Sequence, residues 1–487
     1  MFKTHVAGAI AIAFALMLAG GCGGGSSDQS TMSPLDARDV NLIFVSSEDI
    51  AFQTAGDVDL TTGNLTAAGL NRSLLMAHFL RRRLLGNRNV SAVYSLAPMT
   101  HLQGGGSYPD LAAAETIQQF ALENLITLTA KGVTSTANSY PINVSYPPGA
   151  VPSGVATPAI ACPNCEGLDF ADTGGDNENL VAGIISAKTP GFYVFSAPWE
   201  TIRTLLIGIN ATENLALTMP GDYAGPNLIY VLSIAPAGHA RLLSFDSKVS
   251  PSTTYPALPA PGAASTPCIA QAHFTIAVTG GSGGAVVPMS ANSNETVYFV
   301  RHAEAHPVLT FEDGNYVCAG QWRALALPNA LRGVIAPDEV YSIDPAQATP
   351  GGESADGNST WSYVRPALTV QPYAIANHLP YGLAASFALV AMNSPQLGAQ
   401  YFFTGGQFSN HSVLVAYEHD HIPPTVNALL ASYFPMGGGP APAPGWPDDD
   451  YDTIWTVTLD ANSNLSINNS ICEGIDSATL PATCPEF

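Results

Sequence analysis

An internal repeat constrains this chain more than any other feature: two long segments can be laid over each other, element by element. Asn41-Leu-Ile-Phe-Val45 and Val297-Tyr-Phe-Val300 both read as short buried strands. Leu65-Thr-Ala-Ala-Gly-Leu-Asn-Arg and Val317-Cys-Ala-Gly-Gln-Trp-Arg both open a helix. Ser91-Ala-Val-Tyr-Ser95 matches Asp338-Glu-Val-Tyr-Ser342 as a second strand, and Thr116-Ile-Gln-Gln-Phe-Ala121 matches Thr369-Val-Gln-Pro-Tyr-Ala374 as a second helix. Phe192 to Phe195 and Ser412 to Val415 give third strands, Leu228 to Ser233 and Thr453 to Thr458 last strands. Short apolar runs alternating with helical periodicity predict sheets covered by helices on both faces. The expected fold class is therefore α/β: two tandem three-layer α/β/α domains with mostly parallel sheets, over 39–247 and 293–487. Between them, 248–292 is rich in Pro, Ala, Ser, Thr and Gly and reads as a linker, with one apolar stretch from His273 to Val278.

The chain has 487 residues and a formal charge of −22, with only 16 Lys+Arg. That balance opposes nucleic-acid binding and leaves no basic patch for an anionic lipid surface. Lys3 followed by an apolar run from Val6 to Leu18 reads as an export signal too short for a stable membrane span. Leu18-Ala-Gly-Gly-Cys22 resembles the lipobox of bacterial lipoproteins, although Ala19 stands where leucine is usual. The resemblance implies a signal peptide over 1–21, acylation of Cys22 and a flexible tether over 22–38. With Gly23 in place of the inner-membrane retention aspartate, the expected address is the bacterial cell envelope, on the periplasmic side of the outer membrane. Six further cysteines suit an oxidising compartment. Cys472 and Cys484 are placed to close a C-terminal loop, and Cys162-Pro-Asn-Cys165 to form a tight loop disulfide.

Chemistry gathers at strand ends of the second segment. The strand from Val297 ends on Arg301 and His302, and in open α/β sheets ligands bind outside the carboxyl ends of the strands. Arginine presents a planar fork of donors to phosphate, and a neutral imidazole is a nucleophile near neutral pH. Arg365 opens the helix after the second strand, and His419 follows the third in Tyr417-Glu-His-Asp-His421. Two arginines and two histidines at one sheet edge make an anion pocket suited to phosphoryl transfer. His302, Glu304 and His306 alternate, as do Glu418, His419 and His421 in part, so either set offers metal ligands. Arg301 and Arg365 would repel a cation, and the expectation is no metal and no cofactor.

Arg301-His302-Ala303 near the start, Arg365 in the middle and His419 late resemble the histidine phosphatase superfamily, whose phosphoglycerate-mutase-like and acid-phosphatase-like members share this order of residues. The resemblance implies a phosphoglycerate mutase-like fold and a small phosphorylated substrate. It implies that His302 attacks phosphorus while Arg301, Arg365 and His419 hold the phosphoryl oxygens. This chain departs from the pattern in places. Ala303 replaces a glycine and is expected to crowd the phosphate, and Ala305 stands where one branch has a third arginine. No Asp or Glu lies between Arg365 and Glu418, which removes the mutase-like acid. His419-Asp420 matches the acid-phosphatase pair, so Asp420 is the expected proton donor, with Glu304 and Glu418 as alternatives. A competing reading is an envelope lipoprotein that binds a ligand without turning it over, since fold alone does not imply activity. In the first segment, Ser46 and Ser47 fall at Arg301 and His302, Ala112 at Arg365 and Trp199 at His419, so that copy is expected to lack the chemistry.

Overall fold

The computed structural model describes residues 34–487 except 55, 124–125, 131–132, 147–165, 173, 259–270, 308–310, 347, 351–359 and 385–394. The expected signal peptide, Cys22 and most of the tether lie outside the described residues, as do Cys162, Cys165 and Cys268.

The first half carries strands β1 (Val40–Ser46), β2 (Ala92–Ser95), β3 (Ile142–Asn143), β4 (Gly191–Ala197), β5 (Leu228–Ile234) and β6 (Ala240–Asp246). The second carries β7 (Thr275–Val278), β8 (Glu295–Arg301), β9 (Glu339–Ile343), β10 (Tyr381–Ala384), β11 (Ser412–Tyr417), β12 (Thr453–Leu459) and β13 (Leu465–Cys472). The sheets run β6-β5-β1-β4-β2-β3 and β7-β13-β12-β8-β11-β9-β10. Strand for strand the two orders agree, with β7 added outside β13. Each is parallel only across its centre, from β1 to β3 and from β8 to β10. β5 and β12, read from sequence as final strands of mostly parallel sheets, run antiparallel to β1 and β8. The segments 213–227 and 433–452 are long enough to return the chain to the opposite end before these strands begin. Tight turns then lead into β6 and β13, and a connection so short joins antiparallel neighbours.

β1 and β8 each carry an unbroken apolar run at their centre, 42–45 and 297–300, because both faces are covered. Ile43 and Val45 pack with helices α1 (Ala67–His78) and α2 (Ala112–Glu123), Leu42 and Phe44 with α3 (Asp176–Ala187) and α4 (Trp199–Thr212). Val300 and Leu414 pack with α5 (Cys318–Ala330) and α6 (Arg365–Asn377), Val297 and Phe299 with α7 (Pro395–Phe403) and α8 (Ile422–Ser432). The halves share an interior where α1 and α2 meet the α5/α6 side. Leu70, Leu74 and Ala112 cluster with Leu325 and Ile375, and Ile117 and Phe120 with Ala303, Val364 and Leu368. At this seam the side-chain amides of Gln118 and Asn315 exchange hydrogen bonds of 2.7 and 3.2 Å.

Two sequence expectations are corrected. Part of the expected linker is built into the second sheet, since β7 pairs with β13. Cys484 is bonded to Cys318, not to Cys472, which is itself disulfide-bonded. After β13 the chain crosses to the α5 side and leaves Cys484 against the core beneath that helix.

Candidate active site

His302 sits immediately beyond β8, only 1 % exposed, with its backbone amide donating to Tyr417 at the end of β11 at 3.0 Å. Its Nδ1 lies 2.8 Å from the carbonyl of Ala303. That contact fits the Nδ1–H tautomer and leaves the Nε2 lone pair available. Burial, and after it the charges of Arg365 and Arg301, hold this imidazole well below its ordinary pKa. The ring is therefore neutral at pH 7, as a nucleophile requires.

Two tyrosines flank His302, each stacked on one of the arginines. Tyr363 meets the imidazole edge-on at 5.9 Å and carries the Arg365 guanidinium 4.7 Å from its ring centre. Tyr451 lies 6.2 Å from the imidazole and carries Arg301 at 3.9 Å. Arg301 Nη1 also donates to the carbonyls of Asp448 and Asp450. Arg365 Nη2 donates to Glu312 at 3.0 Å. Nε of Arg301 and both Nε and Nη1 of Arg365 are buried with no hydrogen-bond partner. Unpaired buried donors are costly, and here they belong to two fixed cations beside one neutral imidazole.

Backbone geometry sets these positions. The Arg365 amide donates to the carbonyl of Gly314, which has φ +76° and whose Cβ, if present, would stand 2.0 Å from the Ser362 carbonyl oxygen. Only glycine fits that turn. Thr369, one turn along α6, accepts the Ala303 amide at 2.9 Å and donates to the Arg365 carbonyl at 2.7 Å. It ties the loop after His302 to the helix that Arg365 opens. Ala303 does not crowd the site as the sequence suggested, because it is wholly buried among Val364, Leu368 and Tyr316.

His419 is brought to the same place. Its Nδ1 lies against the Glu418 carboxylate, and its Nε2 lies 3.3 Å from Asp448 Oδ1 and 3.9 Å from Asp420 Oδ1. Burial opposes the charge on Glu418, but hydrogen bonds from His419 and His421 outweigh it and hold the carboxyl well below its ordinary range. Glu418 is thus ionised and a poor proton donor. Glu304, the other alternative, is taken up elsewhere: Arg323 Nε donates to it at 2.9 Å, and Arg323 also pairs with the buried Glu473. Asp420 is left at the mouth with its side chain 60 % exposed.

The metal set read from alternation does not assemble, because His306 turns to the ring of Phe311 and Glu304 to Arg323. His302, Glu418 and His419 instead bring ligand-type atoms within 4.8 Å of one another. Two guanidiniums beside them disfavour a cation. Sequence reading missed Glu312, Tyr363, Thr369, Asp448 and Tyr451. Only Tyr363, two residues before Arg365, and the Asp448-Asp449-Asp450 run carried any local signal.

The first half places other groups at the same positions. Ser47 donates its amide to Ala197 at the end of β4, Ala112 starts α2 and Trp199 starts α4. Around them lie carboxylates: Glu48 and Asp57 pair with Arg72 at 3.1 and 2.9 Å, and Asp110 with His101 at 3.0 Å.

No family model matches the chain, and no curated protein matches it. Solved structures similar to it include a mycobacterial glucosyl-3-phosphoglycerate phosphatase, 13 % identical over 37 % of this chain and 100 % of that one, with a TM-score of 0.23. Another is a phosphoserine phosphatase from Entamoeba histolytica, 15 % identical over 43 % of this chain and 98 % of that one, with a TM-score of 0.24. The case for an activity rests on the side chains themselves.

Proposed function

We propose that the second half is a phosphomonoesterase of the histidine phosphatase type that works through a phosphohistidine at His302. The observation that carries this reading is the buried pair of guanidiniums, with unpartnered donors on Arg301 Nε and on Arg365 Nε and Nη1, beside a neutral imidazole whose Nδ1 is held by the Ala303 carbonyl. In this reading Nε2 of His302 attacks phosphorus and the ester P–O bond breaks. The leaving oxygen takes a proton from Asp420. Arg301, Arg365 and His419 hold the equatorial oxygens, where charge must be neutralised. Water then attacks the phosphohistidine, inorganic phosphate leaves, and neutral His302 and protonated Asp420 are restored. Guanidiniums supply the positive charge, so the reaction is metal-independent.

The first half is a duplicate of the same scaffold without the catalytic groups, a reading supported by the matching strand orders and the Ser47–Ala197 contact. The chain is proposed to stand on the periplasmic side of the outer membrane through lipid at Cys22; its disulfides suit that compartment. The test is direct. Metal-free protein is assayed on a generic phosphomonoester beside His302→Ala, and the wild type is quenched during turnover. An acid-labile, base-stable phosphoprotein that His302→Ala does not form is expected. Equal rates for the two proteins, or none for either, would refute the reading. Lipid labelling that Cys22→Ala abolishes tests the anchor.

A further inference from the structure

Hydrolysis of a phosphomonoester does not by itself require the charge pattern of this site. The floor is cationic, made by Arg301 and Arg365, and the mouth is acidic. Asp448, its side chain 95 % exposed, and Asp420 both face Nε2 of His419, and Asp449 beside them is exposed. Residues 293–487 contain four arginines and no lysine. Arg323 is consumed by Glu304 and Glu473, and Arg332 bonds to Asn329 on the exposed end of α5. The remaining two are on the floor. Among the described residues of the second half, no arginine pairs with the carboxylates at the mouth, which face only the imidazole of His419.

A phosphate ester that enters this site passes and then rests beside those carboxylates. A neutral leaving alcohol gains nothing from them, and an anionic one is repelled. An ammonium group a short way beyond the ester oxygen is attracted, while the phosphate at the other end of the molecule still meets the two guanidiniums. Such a ligand matches both ends of the pocket at once. The buried, unpartnered guanidinium nitrogens independently mark the anion end.

We propose that the substrate is a zwitterionic phosphomonoester, the phosphate of an amino alcohol, with its ammonium held by the Asp448 carboxylate. The proposal rests on the phosphatase reading and adds the substrate class to it. Asp448 is the specificity-determining residue.

The test compares kcat/KM of the whole protein on phosphoethanolamine and phosphocholine with that on glycerol 3-phosphate at low ionic strength, with p-nitrophenyl phosphate as a further substrate. A preference of roughly two- to fivefold for the ammonium esters is expected, the size of one largely exposed charge pair. It shrinks with added salt, and Asp448→Lys inverts it. Equal kcat/KM on the three natural esters, or an ammonium preference undiminished in Asp448→Lys, overturns the proposal and leaves the phosphatase standing. Turnover of none of the four compounds overturns both.

Discussion

Ser47 and His302 occupy one position in two sheets: the amide of Ser47 donates to Ala197 at 2.9 Å and that of His302 to Tyr417 at 3.0 Å. Each follows the last residue of a central parallel strand and is held by the end of the neighbouring strand. The same backbone arrangement is thus present twice, with a hydroxyl at one copy and an imidazole at the other. His302→Ala should lower kcat by roughly a thousandfold or more, while Ser47→Ala leaves it unchanged. Steady-state assay of both variants checks this, and activity lost with Ser47 would place the chemistry in the wrong half.

Thr369 links the segments that carry His302 and Arg365 by bonding to Ala303 and to the Arg365 carbonyl. Thr369→Val keeps the shape and removes the hydroxyl. The Ala303 amide then has no partner and the nucleophile is less well aimed, so kcat is expected to fall about tenfold with little change in KM. Thr369→Ser should restore it. A change confined to thermal stability would make Thr369 merely structural.

The acid limb of the pH profile follows from His302. Its pKa is depressed by burial and by Arg365 and Arg301, so the folded protein keeps it neutral well below the range where a free histidine titrates. The kcat/KM profile should therefore show no loss near pH 6.5 attributable to the nucleophile. The unfolded chain does bind a proton there. It holds more protons than the folded state below about pH 6.5, and the His302 contribution to stability is lost as pH falls from that point toward the depressed folded pKa. Denaturation of wild type and His302→Ala across pH 4–7 separates the effect.

Glu115 tests the opposite sign. It lies buried on α2 with Oε2 unpartnered, and burial pushes its pKa up to about 8. The folded state therefore holds a proton that the unfolded chain loses above about pH 4.5, and stability falls as pH rises toward 8. Glu115→Gln should remove that slope and raise stability by a few kcal/mol (roughly) at pH 8.5, with little change at pH 4. Urea melts at both values decide it.

The Cys318–Cys484 bridge closes a loop between residues 166 apart and fastens the chain terminus under α5. Replacing both cysteines with serine should cost about 2–5 kcal/mol. Because Arg323 and its partners Glu304, Glu473 and Ser477 lie in the same region, the loss should appear in Tm before it appears in kcat. Calorimetry beside an activity assay distinguishes the two.

The strands around Phe44 and Phe299, the helices beginning near Thr66 and Arg365, and the ends on which Arg301, His302 and His419 sit were all legible in the chain. Each is written in a short window: a run of apolar residues, the opening of a helical stretch, a polar residue after a strand. Periodicity is local because a strand or helix repeats within a few residues. The convergence of Arg301, His302, Arg365 and His419 also followed from the order of elements.

Partners were not legible in this way. Glu304 and Glu418 look alike as acids near a histidine, yet one is bound to Arg323 and the other to His419 and His421. Ala303 looked like an obstruction and is a core methyl. Cys484 looked like the mate of Cys472 and belongs to Cys318. Thr369 and Glu312 gave no sign of facing the site. Which side chains meet depends on how loops of unpatterned sequence cross the sheet and on which buried charges must be paired once water is gone. Local patterning was enough for the elements and for the strand ends where chemistry could sit. Which groups there are left unpaired was set by the packing of distant segments, because burial and pairing exist only once those segments are brought together.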